Sequence, residues 1–513
     1  MNIDKKLEEG ITAYKKGKAE EAEYIYRSIL DTHPKHPETN HKLGLLLFSM
    51  NKAKIAFPFF QNAIEVNPKE EQFWISYINT LIKENKLEEA EANSKKAIKI
   101  NPNFSRVYCN LGSILQILGK TEEALTTYKK AINLKPDYAE AYNNLAATLK
   151  DLGRLEEAKE NYKKVITLNP NYLLAHFNYA NTLYKLGNFI DAELSYKKVI
   201  RIRPNHVTAH KNLSSTLREL GKLKEAEVSS KKAIELNPDY AEAHTLLGAI
   251  LFDVGRLKES EESCKKAIKL NMNYEVAHNN LGNIFTEQGK LEEAEISYKQ
   301  AIKLKPDYLL AQNNLDILIK QNKLLEILQT INLKDKKELI QNPFITKRRV
   351  ESNLLKKLYK ITSSELEKTK GGPLFGKGKT SDYRLFDNDS LTIKTVKKDL
   401  ITIMKDAVKS DVYIIDSFFN ILGAGGGSIS HNHINNFDKK NKLNNQKYSL
   451  TYYLSVGDQK CSTPGIFKLY NPDKEILPTD GMIMIIPATR NHSAIYGGKI
   501  DRVMIGVNFY SLI

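Results

Sequence analysis

Residues 101–136 read NPNFSRVYCNLGSILQILGKTEEALTTYKKAINLKP, two amphipathic stretches either side of Gly119, with a proline dipeptide at each end. The phrase recurs. Pro34, Pro68, Pro102, Pro136, Pro170, Pro204 and Pro238 stand 34 residues apart, Met272 keeps the register and Pro306 resumes it. A turn residue follows with the same period: Gly17, Asn51, Asn85, Gly119, Gly153, Gly187, Gly221, Gly255 and Gly289. So does a small one: Ala22, Ala56, Ala90, Ala124, Ala158, Ala192, Ala226, Ser260 and Ala294. Each unit is helix, short turn, helix and proline-closed loop. The Gly or Asn suits a left-handed backbone position, and the proline the first turn of the next helix.

This period and pattern resemble those of tetratricopeptide (TPR) arrays. The resemblance implies an α-solenoid over residues 1–330, nine repeats plus a partial tenth that loses one residue near Asn322 and decays. A solenoid offers a binding surface and rarely catalyses, so chemistry is sought after residue 330. Trp74, Tyr108 and Tyr142 share one position on the first helix, which His176, His210, His244 and His278 occupy in four successive units. Packed helices stand roughly 8–10 Å apart, too far for successive rings to share an ion, so these histidines are read as packing groups. Asn110, Asn144, Asn178, Asn212, Asn280 and Asn314 form a second row, broken by Leu246. The array resembles superhelices, such as those of O-GlcNAc transferases, in which such asparagines hold an extended peptide backbone. An amide offers donor and acceptor together. A protein or peptide in the groove is the partner this implies; helix-to-helix bonding by the same amides is the other reading.

The chain has 513 residues and a formal charge of +16. Its basic residues recur as pairs (Lys95-Lys96, Lys129-Lys130, Lys163-Lys164) on second helices that also carry glutamates, which describes a solvated face rather than a nucleic-acid surface. Cys109, Cys264 and Cys461 have neither metal-ligand spacing nor a disulfide framework. The N-terminus lacks a signal peptide's apolar core, and no run approaches membrane-spanning length. A cytoplasmic protein with no nucleic-acid or membrane partner is expected.

Residues 331–370 read as a charged helical linker, the chain loops through Gly371-Gly372-Pro373, and a helix is expected at about 390–409. From Asp411 the character becomes β: DVYIIDSFFNIL, KYSLTYYLSV, GIFKLY, GMIMIIP and DRVMIGVNFYSL. Short strands without intervening helices predict an antiparallel barrel or sandwich over 371–513. After His278 the chain has three histidines, His431, His433 and His492. Residues two apart on an extended segment face the same way, so His431 and His433 can approach one ion, with His492 as a distal third. The alternative is surface histidines in loops. GAGGGS opens no helix and lacks the Lys-Ser/Thr of a phosphate loop, so it reads as a turn.

His431-x-His433, His492 and Arg502, ten residues beyond it, resemble the Fe(II)/2-oxoglutarate oxygenases. The resemblance implies a double-stranded β-helix (jelly-roll or cupin-like) and an overall class of α followed by α+β. It also implies Fe(II) on the histidines, with 2-oxoglutarate anchored by Arg502, whose planar fork suits a carboxylate. Tyr453 stands where the family has a cosubstrate-binding tyrosine, taken over Tyr452 because alternation points only one inward; Lys468 is a reserve carboxylate partner. His433 falls where the family has a carboxylate, leaving three readings: a three-histidine site, a carboxylate from Asp438, or lost activity. Gly425-x5-His431-x-His433-x4-Asp438 with Gly481-x5-Pro487-x4-His492 also approximates the two cupin motifs. The expectation is a TPR-tethered hydroxylase. Its alternatives are a non-enzymatic TPR scaffold with a degenerate barrel, and a cupin-type metalloprotein that does not use 2-oxoglutarate.

Overall fold

The computed structural model describes residues 3–330, 342–350, 353–356, 358, 379–380, 384–422, 426–431, 433–461, 464–470, 472–496, 498 and 500–512. Contacts divide the chain into two compact units, Met1–Leu213 and Ser214–Ile513. The first holds helical pairs alone; the second holds further pairs and two β-sheets.

The pair Ser105–Ile117 and Thr121–Leu134 shows how a repeat is built. Gly119 between them has φ 76°, and all nine turn positions, Asn51 and Asn85 included, lie between 56° and 79°. Only glycine and, at modest cost, asparagine hold that conformation readily. Glu122 and Glu123 open the second helix, where negative charge meets the positive end of the helix dipole. All nine periodic small residues are fully buried. A second small position lies on the first helix: a Cβ on Gly112 would stand 2.5 Å from the Tyr128 ring, and Gly10–Tyr26, Gly44–Phe60 and Gly282–Tyr298 repeat the contact at 2.6, 2.7 and 2.5 Å. In these four pairs the aromatic sets how closely the helices approach.

The periodic histidines are more than filling. Nε2 of His176, His210, His244 and His278 lies 2.9, 2.9, 3.0 and 3.1 Å from the carbonyl six residues earlier, at Pro170, Pro204, Pro238 and Met272. Asn40, Trp74 and Gln312 donate N–H to Pro34, Pro68 and Pro306 in the same way. The position calls for a donor that closes its own repeat's loop, not for a metal ligand. On the second helices, Lys95–Glu91, Lys197–Glu193, Lys231–Glu227 and Lys265–Glu261 pair one turn apart at 2.6–2.7 Å. In each pair the lysine is exposed and the glutamate largely covered, so the charges of this face are balanced within the helix.

The partial tenth repeat is not a pair. Lys323 stands where a turn glycine would fall, and Leu309–Thr330 runs as one 22-residue helix. Its Leu324 is buried with Ile415, Leu443 and Tyr510 of the C-terminal part. That shared core is why the last repeats and the sheets form one compact unit instead of parting at residue 330.

The C-terminal strands are β1 (Phe344–Lys347), β2 (Lys379–Thr380), β3 (Val412–Leu422), β4 (Gly426–His431) and β5 (Lys447–Ser455). β6 (Phe467–Leu469), β7 (Lys474–Ile476), β8 (Met482–Pro487), β9 (His492–Tyr496) and β10 (Arg502–Ser511) follow. They form a six-stranded sheet, β1-β8-β5-β10-β3-β2, and a four-stranded one, β4-β9-β6-β7, with every strand pair antiparallel. From β3 to β10 the chain changes sheet at each step except the β6-β7 hairpin, and β10 returns to the centre of the larger sheet. Alternation sorts the faces. Phe419, Ile421, Tyr452, Ile483 and Ile505 pack with Ile393, Val396, Leu400 and Met404 of the helix Leu391–Val408. Tyr453, Met484, Ile486 and Met504 pack instead with Phe467 and Leu469 of the smaller sheet.

One expectation needs correcting here. The stretch 331–370 is not wholly helical, since Phe344–Lys347 pairs with β8 from Phe344↔Ile485 to Lys347↔Met482. Its short alternating FITK is a strand signal masked by charged flanks. Residues 331–341, 351–352, 357 and 359–378, including Gly371, Gly372 and Pro373, lie outside the described residues, as do residues 423–425.

The helix-pair contact is testable. Gly112→Val should lower the urea midpoint of the full chain, costing about 1–3 kcal/mol as overpacking does, and Gly112→Val with Tyr128→Leu should recover most of it. An unchanged midpoint in the single variant would mean that the helices are not held this close.

Candidate metal and ligand site

β4 ends and β9 begins at the same level, His431 opposite His492. The side chain of His431 lies outside the described residues. The backbone N–H of His433 bonds the Ala488 carbonyl at 2.9 Å, fixing that residue against the end of β8. Its Nε2 lies 3.3 Å from Nε2 of His492. The rings stack at 5.0 Å and 22°, and Phe467 covers the His492 ring at 5.1 Å. His492 is buried, and its Nδ1 lies 3.2 Å from the Arg490 carbonyl. A carbonyl only accepts, so Nδ1 carries the proton and Nε2 presents a lone pair toward His433. Two nitrogens each about 2.0–2.1 Å from one ion stand about 2.9–3.4 Å apart. The observed separation fits a shared ion, and it fits a shared proton as well.

The histidines open on a cavity of about 90 Å³ between the two sheets, walled by Phe418, Leu422, Phe467, Ala494 and Met504. Tyr453 lines it; Tyr452 points the other way, its hydroxyl donating to the Arg349 carbonyl. Asn420, Ser449 and Thr451 supply polar atoms on its larger-sheet wall. Burial holds the Tyr453 hydroxyl well above its ordinary pKa, with the Arg502 charge opposing.

The remaining candidates sit elsewhere. Asp438 is fully buried at the start of the helix Asn436–Lys440, where it and Asn435 form a reciprocal cap. Its carboxylate accepts from Asn435 N–H at 2.9 Å, Lys447 Nζ at 2.9 Å and Tyr510 hydroxyl at 2.5 Å. The structure does not bring it to the histidines. Arg502, also fully buried, donates from Nε to Val456 carbonyl at 3.3 Å, from Nη1 to Gly465 carbonyl at 2.7 Å and from Nη2 to Pro464 carbonyl. Its guanidinium lies over the rings of Tyr496 and Tyr453, at 4.7 and 5.8 Å. It shares the inner face with Met504, yet its donors hold main chain. Lys468 points outward, half-exposed and paired with Glu475 at 2.8 Å. Among the described residues no three His, Cys, Asp or Glu side chains gather as a metal set.

Within Met1–Leu213, Nδ2 of Asn110 donates to Asn79 at 3.0 Å, Nδ2 of Asn144 to Ser113 at 3.5 Å and Nδ2 of Asn212 to Asn181 at 2.9 Å. Within Ser214–Ile513, Nδ2 of Asn314 donates to Asn279 and Asn283, both at 3.0 Å. Four of the six therefore tie a first helix to the one before it. Asn178 and Asn280 are half-buried.

Sequence reasoning passed over two inner-face groups. Asn420 is buried in the cavity wall with no partner for Oδ1. Asp416, further back on the same face, accepts from Asn508 Nδ2 at 2.9 Å. A polar residue at even spacing among DSFFNIL was the available signal. Asp416 as a whole is half-buried, but its carboxyl is enclosed. Burial raises it to about 6, against the pull of Lys447 and the Asn508 bond.

Tetratricopeptide repeat families match residues 79–104, 94–126, 112–153, 139–172, 173–206, 215–255, 241–274 and 276–308. The chain thus carries TPR repeats over about 79–308. No curated protein matches it. Among solved structures it is similar to YrrB, described as a TPR protein with an unusual peptide-binding site, at 25% identity over 36% of this chain and 95% of that one, TM-score 0.31. A TPR protein from Parabacteroides merdae is 21% identical over 48% and 98%, TM-score 0.40. The Cut9–Hcn1 hetero-tetramer of APC/C is 14% identical over 59% of each chain, TM-score 0.39. Among the described residues no helix is long and apolar enough to cross a membrane.

Asp416 carries a pH prediction. Its folded value near 6 exceeds the ordinary 3.8, so its stabilising contribution is full below about pH 4 and is lost as pH rises through 6. Asp416→Asn should match the wild type in stability near pH 4 and exceed it by about 2–3 kcal/mol at pH 7.5. Parallel pH profiles of the two thermal midpoints would show that the carboxyl is not enclosed.

Proposed function

We propose that the C-terminal part is a double-stranded β-helix metalloenzyme of the Fe(II)/2-oxoglutarate oxygenase class, carried on TPR repeats that recruit a protein or peptide substrate. The strand orders β3-β10-β5-β8 and β4-β9-β6-β7 support the barrel, because winding two strands together as a helix produces that alternation between sheets. The metal half rests on one observation: the 3.3 Å separation of the His433 and His492 Nε2 atoms, with His492 Nδ1 held by a carbonyl. Metal-bound imidazoles ordinarily carry such a second bond, which fixes ring and tautomer. His433 and His492 would hold the ion, with His431 as the third imidazole. Iron, when bound, supplies the oxygen chemistry that no side chain of the described cavity wall offers. The protein's own residues do the rest. Phe467 fixes the His492 ring, the Arg490 carbonyl its proton, and Phe418, Leu422 and Met504 give the cavity an apolar lining. Repeats that hold a peptide would raise its concentration beside the barrel.

Arg502 favours a second reading. The residues present do not fit a cosubstrate carboxylate without rearrangement, because the guanidinium is fully buried and bonded to three carbonyls. A histidine-bound metalloprotein that uses no 2-oxoglutarate suits that arrangement. Removing Arg502 would also leave those carbonyls unsatisfied, so Arg502→Ala is expected to destabilise the barrel by about 3 kcal/mol or more. It is therefore unsuitable as a simple binding test.

The decisive experiment is anaerobic titration of the full chain with Fe(II), with and without 2-oxoglutarate, followed by visible absorbance and by direct metal binding. The proposal expects iron binding, a charge-transfer band that needs 2-oxoglutarate, and at least about a 10–100-fold loss of iron affinity in His492→Ala. Iron binding without the band would replace it with the second reading. No iron binding would leave a TPR adaptor with a degenerate barrel.

A further inference from the structure

We infer that the inner cavity is a binding site for a neutral carboxamide on an apolar body, and that Asn420 is the residue that recognises it. The inference rests on the barrel cavity and not on the metal.

Three observations carry it. First, Asn420 is 8% exposed, lines the cavity, and its Oδ1 has no hydrogen-bond partner. A buried polar atom without a partner is unfavourable for folding alone, and water or a ligand normally completes it. Second, the register sets its surroundings. Asn420 lies opposite Met504, which lies opposite Tyr453, and the next inner rows place Phe418 beside Gly506 and Thr451, then Asp416 beside Asn508 and Ser449. Polar side chains, with the Asp416 carboxyl in the third row, therefore alternate with apolar surface along one wall. Third, the described wall of the cavity carries no Lys, Arg, Asp or Glu, and the nearby guanidinium of Arg502 is turned to main-chain carbonyls. A carboxylate placed there would be desolvated without a partner.

The part of a ligand that meets Asn420 must accordingly be uncharged, bring a hydrogen-bond donor to Asn420, and fill the space between Phe418, Phe467 and Met504. A carboxamide does this best. Paired with the Asn420 amide it forms two reciprocal bonds, and the pairing works with the Asn420 oxygen and nitrogen in either orientation. The volume, about 90 Å³, admits a short branched amide or the tip of an asparagine or glutamine side chain. Glycine at 506 lets the Phe418 ring lie against the strand, because a Cβ there would stand 2.5 Å from that ring.

The test is ligand-observed NMR on the full chain, in the presence of a chelator, with isobutyramide, isobutyrate and the donor-less isostere 3-methylbutan-2-one. An acetylated tripeptide with a central asparagine is compared with its leucine counterpart. The expected result is that isobutyramide binds at least tenfold more tightly than either analogue. Asn420→Leu should erase that preference and raise the thermal midpoint, because it removes an orphaned polar atom. If the free amide binds and the asparagine peptide does not, the natural ligand is a small molecule; the reverse identifies a peptide side chain. Absence of amide binding from both sources, equal binding of amide and ketone, or a lower midpoint in Asn420→Leu would overturn the inference. A chain that prefers the amide yet binds no iron would refute the metal reading and leave this one intact. A chain that binds iron without the preference would do the opposite.

Discussion

A backbone angle governs the helical part of this protein. Where φ is held between 56° and 79° at Gly17, Asn51, Asn85 and their six glycine successors, the first helix ends and the second can fold back on it. Once the turn is fixed, the small residue five places on is buried, and in four pairs an aromatic of the second helix closes on a glycine of the first. Lys323 shows the rule by its exception. Without a turn residue the helix Leu309–Thr330 continues, and its far end buries Leu324 against β3 and β10 residues instead of a partner helix. One missing glycine thus turns a repeat into an attachment.

In the sheets the corresponding constraint is the central place of β10. It pairs with β3 over its whole length and with β5 over most of it, so three inner faces are locked in register. The same strand begins with Arg502 and reaches Tyr510, whose hydroxyl bonds Asp438. Charges at both ends are internally satisfied: Arg502 by carbonyls, and Asp438 by Lys447 and Tyr510. Between them the rows of Asn420 and Phe418 carry no charged side chain, and the cavity lies there. Buried charges that are fully bonded hold a shape, whereas a buried amide that is not fully bonded is free to read a ligand.

How much of this could be seen in the sequence depended on range. The repeats were legible because turn, small residue and proline act within 34 residues of one another. The long strands β3, β5, β8 and β10 were legible as aromatic and β-branched runs. β4 and β9 were not, because GGSISH and HSAIY are short and defined by pairing with each other. The donor role of the periodic histidines was hidden for a simpler reason. Tyr108 and Tyr142 share their position without an N–H to give, so residue type alone did not reveal the common bond. Arg502 was the hardest case: its partners Val456, Pro464 and Gly465 lie 37–46 residues away and contribute only main chain, which leaves no trace in residue identity.

The metal reading and the neutral cavity bear on each other through charge. Imidazole ligands are neutral, so a divalent ion held by histidines alone would keep its full charge in a site of low polarity. Two buried carboxylates of the sheets are committed, Asp438 to Lys447 and Asp416 to Asn508. Any compensating anion would then have to come with the ligand, and it would favour the histidine end over the Asn420 end, where nothing pairs with it. Such a cavity would sort a ligand by polarity along its length, anionic beside the imidazoles and amide beside Asn420. It follows that Arg502 need not bind an anion for the barrel to use one. Its position at the head of β10 is accounted for by the three carbonyls it holds, and the charge that attracts an anionic ligand would be the ion's own.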